Sequence, residues 1–281
     1  MSVPPPLTDR HTLALRRRRA ADSRDGTFLH ALAADEIEER LQEVNRRFTD
    51  IAVVTGHPDF WQARLPKARI VPDDDLLALA PGAHDLVVHA MALHWTNDPV
   101  GQLVQARRAL RPDGLFLGVC FGGQTLAELR AALAEAEAAL TGGLSPRVLP
   151  MGEIRDLGAL LQRAGFALPV ADNVTQRVSY AAPEDLIRDL RAMGETNALA
   201  ARHRRIPPRR LFAEAMRLYS SAYSIDGARV RATFELIFLT GWSPSETQQK
   251  PLRPGSATAR LADALGSVEF PAGDRAGPRS D

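Results

Sequence analysis

The chain has 281 residues, a formal net charge of +1 and 45% hydrophobic residues, which suits one elaborated globular domain, or one domain with a cap, and gives no overall indication of nucleic-acid binding. Its single cysteine, Cys120, excludes an internal disulfide and is consistent with a reducing compartment. Because no apolar run approaches the ~20 residues that cross a bilayer, and the N-terminus lacks the apolar core of a secretory signal, we expect a soluble, cytoplasmic protein.

In the first half of the chain, short apolar runs alternate with stretches of helical periodicity. The clearest strand, 85–90 (DLVVHA), follows a Pro-Gly turn, and the turn at 112–114 (PDG) leads into the next strand. The run 51–54 (IAVV) ends just before Gly56, as a buried strand entering a tight turn does. The predicted elements are, in chain order, helices 11–21 and 29–47, strands 51–54, 68–71 and 85–90, helix 99–110, strand 115–119 and helix 126–140.

Strands that alternate with helices at this spacing predict an α/β fold with a mostly parallel, doubly wound sheet. Ligands of such sheets bind outside the carboxyl ends of the strands. That rule selects the residues that follow the predicted strands, which are Gly56, Asp73, Ala90 to His94, and Phe121 to Gly123.

The second half of the chain is less regular. Helices are predicted over 153–164, 183–193 and 209–223, and 233–239, which is rich in β-branched and aromatic residues, predicts a strand. The glycine, proline and charge content beyond about residue 265 predicts a disordered tail. The expected organisation is an N-terminal helical segment (1–47), an α/β core (48–180), a helical and strand elaboration that completes the fold (181–266) and the tail (267–281).

Arginines are concentrated in two stretches, although the overall charge is balanced. Such clusters either form solvated helix faces or bind an acidic partner or an anionic membrane surface. Peripheral membrane contact and an acidic partner therefore both stay open. The residues are Arg16 to Arg19 near the N-terminus, and Arg202, Arg204, Arg205, Arg209 and Arg210 in the second half.

Three predicted strand ends carry candidate functional residues, each with a structural alternative. Gly56 either lines a ligand cleft or serves a turn that needs a positive φ. Asp73 either contacts a ligand or belongs to an acidic surface loop, 73–75. His94 is the candidate catalytic base because histidine titrates near neutrality, or it caps a loop over a packed Trp95.

Other residues are assigned more briefly. Cys120 follows a buried strand and is predicted to lie in the core. The segment 193–197 (MGETN) either lines a substrate face or ends a helix, with Gly194 in the left-handed conformation. The Gly-Trp pair at 241–242 is predicted to form a corner that closes on the sheet. No second histidine, cysteine or carboxylate stands at metal-ligand spacing beside His94, so no metal site is predicted.

Strand 85–90, the Leu-His-Trp at 93–95 and the turn at 110–114 (LRPDG) together resemble the later half of the core of class I S-adenosylmethionine (SAM) methyltransferases. An ordered set of further segments is similar to a family of respiratory complex I assembly factors with a methyltransferase fold. This resemblance spans roughly residues 9–266, and the family also resembles the malonyl-acyl-carrier-protein methyltransferases of biotin synthesis. The segments are 121–130 (FGGQTLAELR), 142–146 (GGLSP), 156–158 (DLG), 163–166 (RAGF), 193–197 (MGETN), 241–242 (GW), 245–251 (SETQQKP) and 254–257 (PGSA).

The resemblance implies a Rossmann-like class I methyltransferase sheet with helices on both faces, partly trimmed, and a mainly helical C-terminal elaboration. It implies SAM as the cofactor, with Gly56, Asp73, Ala90, Met91 and His94 as the residues around it. It also implies a protein substrate or partner, such as a subunit of respiratory complex I. The reaction would be methyl transfer or, as for the mitochondrial member of the family, hydroxylation of an arginine.

This sequence departs from the family at the glycine-rich turn. Members carry E/DxGxGxG after the first strand, where small residues let the backbone approach the methionine moiety of SAM. Here 54–60 (VTGHPDF) retains only Gly56. The interval from there to Asp73 is too short for the second strand, whose terminal carboxylate grips the ribose hydroxyls of SAM. SAM binding is therefore expected to be weakened or lost, and the alternative to an enzyme is a catalytically degenerate assembly scaffold.

Overall fold

The computed structural model describes residues 5–21, 24–248, 263 and 266. Residues Met1–Ser245 form one compact unit and Glu246–Asp281 form a second. The predicted tail 267–281, residues 249–251 and the segment 254–257 lie outside the described residues. The finer division of the chain at residues 47, 180 and 266 stays a prediction.

A seven-stranded sheet forms the centre of the first unit. Its strands are β1 (Ile51–Thr55), β2 (Arg69–Val71), β3 (His84–Ala90), β4 (Leu110–Phe121), β5 (Ala167–Tyr180), β6 (Ser224–Ile225) and β7 (Arg229–Trp242). The order is β2-β1-β3-β4-β7-β5, and β6 pairs with β7. The pairings among β2, β1, β3 and β4 are parallel, whereas β7 is antiparallel to β4, β5 and β6.

Helices cover both faces of this sheet. The α-helices are α1 (Arg10–Ala20), α2 (Phe28–Glu43), α3 (Pro58–Arg64), α4 (Pro99–Ala109), α5 (Ala127–Thr141), α6 (Ile154–Arg163), α7 (Pro183–Ala192) and α8 (Arg209–Ala222), with 3₁₀ turns at Arg24–Thr27 and Leu93–Trp95. Successive strand residues point to opposite faces, so Val53 packs with α2, α5, α7 and α8 while Ala52 and Val54 pack with α4 and α6. The sheet is therefore buried on both sides, which explains the continuous apolar runs of β1 and β3.

Strands β1 and β3 are parallel neighbours, with Ile51 paired to Leu86 and Thr55 to Ala90. Among the described residues, β2 is the only strand on the outer side of β1. This agrees with the predicted loss of one strand and its helix between Gly56 and Asp73. The carboxyl ends of β1, β2 and β3 consequently meet at one edge of a shortened sheet.

The structure corrects several predictions in the second half of the chain. The sheet is mixed rather than mostly parallel, because β7 and β5 run antiparallel to it. Strand β5 was not predicted, since its side chains alternate between half-buried and exposed and give no apolar run. The predicted strand 233–239 extends over all of β7, so the Gly-Trp pair at 241–242 ends a strand and does not form a corner. The predicted helix 29–47 already ends at Glu43.

The Pro-Asp-Gly turn lies inside β4. Leu110 pairs with His84 and Leu115 with Leu86, so residues 111–114 bulge out of the ladder. Asp113 adopts a φ of 62° at the bulge, and its backbone N–H donates to the carbonyl of Ser243. The turn was placed correctly, but it interrupts a strand instead of preceding one.

Because β7 lies between β4 and β5, the C-terminal part of the first unit is a central part of the sheet. Phe238 is 1% exposed, pairs with Val119 and carries the Arg40 guanidinium 4.3 Å from its ring centroid. We expect Phe238→Ala to lower the free energy of unfolding by about 3–5 kcal/mol, measured by denaturant titration. The matched control is Leu76→Ala, whose side chain is 83% exposed and whose loss should change little. Equal small effects of the two substitutions would contradict the central position of β7.

Candidate functional site

Helix α1 lies at the carboxyl ends of β1 and β2, where the sequence predicts the ligand crevice. The Asp9 side chain caps this helix by accepting from the backbone N–H of Thr12, and Arg202 forms an ion pair with Asp9 at 2.8 Å. The N-terminal end of the helix is thereby fixed. Further along α1, the Arg17 side chain is directed at the residues that follow the two strands.

Arg17 rests directly on the backbone of Gly56. A Cβ atom placed on Gly56 would lie 2.1 Å from Cζ of Arg17, so a larger residue at this position would displace the guanidinium. A Cβ on Gly194 would likewise lie 3.1 Å from Cα of Arg17. Gly56 is not among the residues with a positive φ, so the turn itself does not require glycine. The close approach of Arg17 requires it.

Asp73 holds the Arg17 guanidinium in place. Its carboxylate accepts from Nη1 of Arg17 at 2.8 Å and from Nη1 of Arg10 at 3.1 Å, and its side chain is 5% exposed. Burial alone would raise the pKa of Asp73, but the charges of Arg17 and Arg10 outweigh it and lower the pKa from 3.8 to about 2. Asp73 is therefore a buried carboxylate, and the predicted acidic surface loop is limited to Asp74 and Asp75.

His94 lies on the 3₁₀ turn after β3 and contacts a carboxylate from the segment after α7. Its Nε2 is 3.2 Å from Oε2 of Glu195, and Nε1 of Trp95 donates to the same oxygen at 2.7 Å. The side chains of His94 and Glu195 are 2% and 5% exposed. Burial alone would raise the pKa of Glu195, but the adjacent His94 and the charge of Arg17 lower it. A fixed, ionised carboxylate thus orients the imidazole that the sequence identifies as a candidate base.

For the segment 193–197, the prediction that it ends a helix is confirmed, and the prediction that it lines a substrate face stays a prediction. Gly194 has a φ of 75° and ends α7 in the left-handed conformation. The backbone then turns so that Glu195 contacts His94, and Glu195, Thr196 and Asn197 line a cavity. The sequence identifies the segment that contains Glu195 as a candidate but does not predict its contact with His94, because 101 positions separate the two residues.

Several polar atoms around Arg17 are buried and have no hydrogen-bond partner among the described residues. They are Nε and Nη2 of Arg17, Nε2 of His57, Nδ1 of His94 and Oε1 of Glu195. Burial lowers the pKa of His57, as it does for His30, whose ring centroid is 4.2 Å from that of His57. Buried polar groups normally have partners, so these five atoms indicate a place for water or a ligand.

The remaining predicted residues do not join this cluster. The side chains of Ala90 and Met91 are 0% and 1% exposed and lie in the apolar core, and Met91 has a φ of 52°. Cys120 is buried as predicted, and burial raises the pKa of its thiol to about 12. Gly56, Asp73 and His94 therefore stay candidates, whereas the side chains of Ala90 and Met91 are placed to pack. In the described part of the chain, no group of three or more His, Cys, Asp or Glu residues could hold a metal ion.

A cavity of about 850 Å³ opens beside the cluster. Trp95 and Glu195 line it, as does the face of α1 that carries Arg16 and Arg19. Among the described residues that line it, none belongs to the predicted cofactor set of Gly56, Asp73, Ala90, Met91 and His94. Helix α1 consequently contributes to both sites, with Arg17 in the crevice and other side chains in the cavity.

The Arg17–Asp73 pair predicts a stability change in acid. Because the pKa of Asp73 is about 2 in the folded chain and 3.8 otherwise, its contribution to stability is present above about pH 4 and is lost as the pH falls towards about 2. We expect Asp73→Asn to reduce the slope of the free energy of unfolding against pH in this window. The control is Asp75→Asn, at an exposed neighbouring position. An unchanged slope in Asp73→Asn would contradict the buried ion pair.

No helix in the part of the chain that the structure describes combines the length and apolar character needed to cross a membrane.

Comparison with known proteins identifies relatives. Residues 29–118 match the family model of a methyltransferase domain. The mitochondrial arginine-hydroxylase NDUFAF5 of Danio rerio is 36% identical over 199 residues, which cover 71% of this chain and 62% of that protein.

A malonyl-[acyl-carrier protein] O-methyltransferase from Laribacter hongkongensis is 35% identical over 193 residues, covering 69% of this chain and 62% of that enzyme. The crystal structure of the YcgJ protein from Bacillus subtilis covers 74% of this chain and 97% of its own, at 10% identity and a TM-score of 0.46. This chain spans less than two thirds of the length of the NDUFAF5 and Laribacter relatives. The chain therefore contains a methyltransferase domain and is related to the NDUFAF5 arginine-hydroxylases and to the malonyl-[acyl-carrier protein] O-methyltransferases.

Proposed function

We propose that this protein is a cytoplasmic assembly factor for respiratory complex I, which binds a protein subunit and no longer binds SAM in the ancestral crevice. The observation that carries the proposal is the Arg17 side chain, which lies on Gly56 and is held there by Asp73. These are two of the residues expected to contact the cofactor. They bind a side chain of the same chain instead.

SAM does not fit the residues around this crevice. The guanidinium of Arg17 occupies the space above Gly56 that the methionine moiety needs, and its positive charge would repel the sulfonium of SAM. Both oxygens of the Asp73 carboxylate already accept from arginine. Among the described residues of the loop 73–75, the other two aspartates are exposed, so no buried carboxylate there is free for the ribose hydroxyls.

The relatives support a protein partner from complex I. NDUFAF5 is an arginine-hydroxylase by name. The sequence motifs described above resemble a family of respiratory complex I assembly factors. A binding role needs the fold and its surfaces but no cofactor.

An enzyme is the second candidate, either a SAM-dependent methyltransferase or a hydroxylase on the same fold that acts on a protein side chain. The buried pair of His94 and Glu195 favours it, because a carboxylate that orients an imidazole is a common arrangement for a general base. Nδ1 of His94 is buried without a partner among the described residues, so this nitrogen is the one available for proton transfer.

Calorimetric titration with SAM and S-adenosylhomocysteine tests the loss of the cofactor. We expect no measurable binding by the full chain, because Arg17 fills the space above Gly56 and both oxygens of the Asp73 carboxylate already accept from arginine. A SAM-binding malonyl-[acyl-carrier protein] O-methyltransferase titrated under the same conditions is the positive control. A sub-micromolar dissociation constant for this chain would overturn the proposal and favour the methyltransferase.

A deletion strain of the source organism tests the role in assembly. We expect less assembled complex I on native gels, restored by the wild-type gene and also by His94→Gln and Glu195→Gln if binding alone suffices. Thermal unfolding of the purified variants shows whether each is folded. A methyl or hydroxyl mass shift on a complex I subunit that depends on the gene and disappears in folded His94→Gln would favour the enzyme. Unchanged complex I in the deletion strain would contradict the role in assembly.

A further inference from the structure

The cavity beside the crevice is strongly basic. Seven arginines line it, namely Arg16, Arg19, Arg147, Arg191, Arg202, Arg204 and Arg205. Arg147 and Arg202 are neutralised by ion pairs with Glu137 and Asp9. The other five form no ion pair in the described part of the chain, and Nε of Arg16 is buried without a hydrogen-bond partner. Clustered, uncompensated guanidinium groups favour an anion.

Acidic side chains are almost absent from the lining of this cavity. Glu195 is the one carboxylate among the described lining residues, and its Oε2 already accepts from Trp95 and contacts His94. A cationic ligand, such as the side chain of an arginine, would therefore meet net repulsion. The positive charge of the cavity would instead attract a negatively charged group.

Much of the remaining lining is apolar and comes from several elements. Leu126, Leu129 and Leu133 line it from the start of α5 and the helix itself, and Ile187 and Leu190 line it from α7. Such a surface suits hydrocarbon better than a free phosphate or a string of carboxylates, because burying apolar area stabilises a complex by about 25 cal/mol per Å². The volume of about 850 Å³ lies within the range of about 300–1,000 Å³ found for small-ligand pockets.

The residues 204–206 combine positive charge and apolar character at adjacent positions. Arg204 and Arg205 line the cavity and are exposed, and Ile206, which also lines it, is 95% exposed. An apolar side chain thus lies next to two arginines that form no ion pair in the described part of the chain. Phe212 of α8, which lines the same cavity, is also 40% exposed. These residues would contact both the charged and the apolar part of an amphipathic molecule.

We propose that this cavity binds an amphipathic anion with a single acyl chain, such as a long-chain carboxylate. The apolar residues of α5 and α7 hold the chain, and Arg16, Arg204 and Arg205 bind the negative head group. This site is separate from the Arg17 crevice and goes beyond the proposed role in complex I assembly. A free fatty acid and an acyl chain of an anionic membrane lipid share this chemistry.

Laurate is the probe, titrated into the full chain by calorimetry and by tryptophan fluorescence, since Trp95 lines the cavity. We expect saturable binding that is about tenfold or more tighter than that of dodecyltrimethylammonium, which has the same chain and the opposite charge. Octanoate should bind more weakly than laurate, and acetate should not bind. Vesicles of phosphatidylglycerol distinguish the two sources: co-sedimentation that laurate abolishes supports an anionic lipid, and laurate binding without co-sedimentation supports a free fatty acid.

Two double variants decide whether the cavity is the site. Arg204→Gln with Arg205→Gln should weaken laurate binding about tenfold or more, because each loses a charge-assisted contact. Arg188→Gln with Arg217→Gln is the matched control, since these exposed arginines of α7 and α8 do not line the cavity and the change in net charge is identical. Both pairs are exposed, so neither should impair folding.

Three results would overturn the proposal. Equal affinity for laurate and dodecyltrimethylammonium would show that the arginines do not select an anion. An equal loss in both double variants would show a general effect of charge. Binding of a hexaglutamate peptide without binding of laurate would assign the cavity to an acidic peptide and not to an acyl chain.

Discussion

The buried ion pair between Arg17 and Asp73 is the constraint on which the candidate site depends. Two charged side chains that are 10% and 5% exposed are stable only because each compensates the other, and Arg10 adds a second donor to the carboxylate. Removing one partner would leave the other as an uncompensated buried charge. The pair therefore fixes α1 against the carboxyl ends of β1 and β2, and it holds the guanidinium of Arg17 against the backbone of Gly56.

The position of α1 explains why the crevice that holds Arg17 and the basic cavity lie side by side. Arg17 is buried in an ion pair with Asp73. Arg16 and Arg19, from the same run 16–19, line the adjacent cavity and form no ion pair in the described part of the chain. The run is thus neither a solvated face throughout nor a uniform contact surface. Because a helix directs successive side chains around its axis, a stretch of identical residues can serve a closed crevice and an open cavity together.

Patterns local in the sequence predicted the centre of this fold well. Strands β1, β2 and β3, the turn at 112–114 and every described α-helix of the first unit except α3 are predicted at their approximate positions. Strand β5 could not be predicted because it is an edge strand in which apolar and polar residues are interspersed and most side chains are half-buried or exposed. The contact of His94 with Glu195 and the role of Arg17 depend on tertiary packing across 101 and 56 positions, which periodicity does not report.

Gly56 is retained from the family's glycine-rich turn but serves a different contact in this chain. In the family that this sequence resembles, a glycine at the end of the first strand makes room for SAM. Here the same lack of a side chain makes room for the guanidinium of Arg17, which needs an equally close approach to the backbone. A positive φ does not explain the residue, because Gly56 has none. The glycine by itself is therefore no argument for a cofactor, and the identity of the group that contacts it decides between an enzyme and a binding protein.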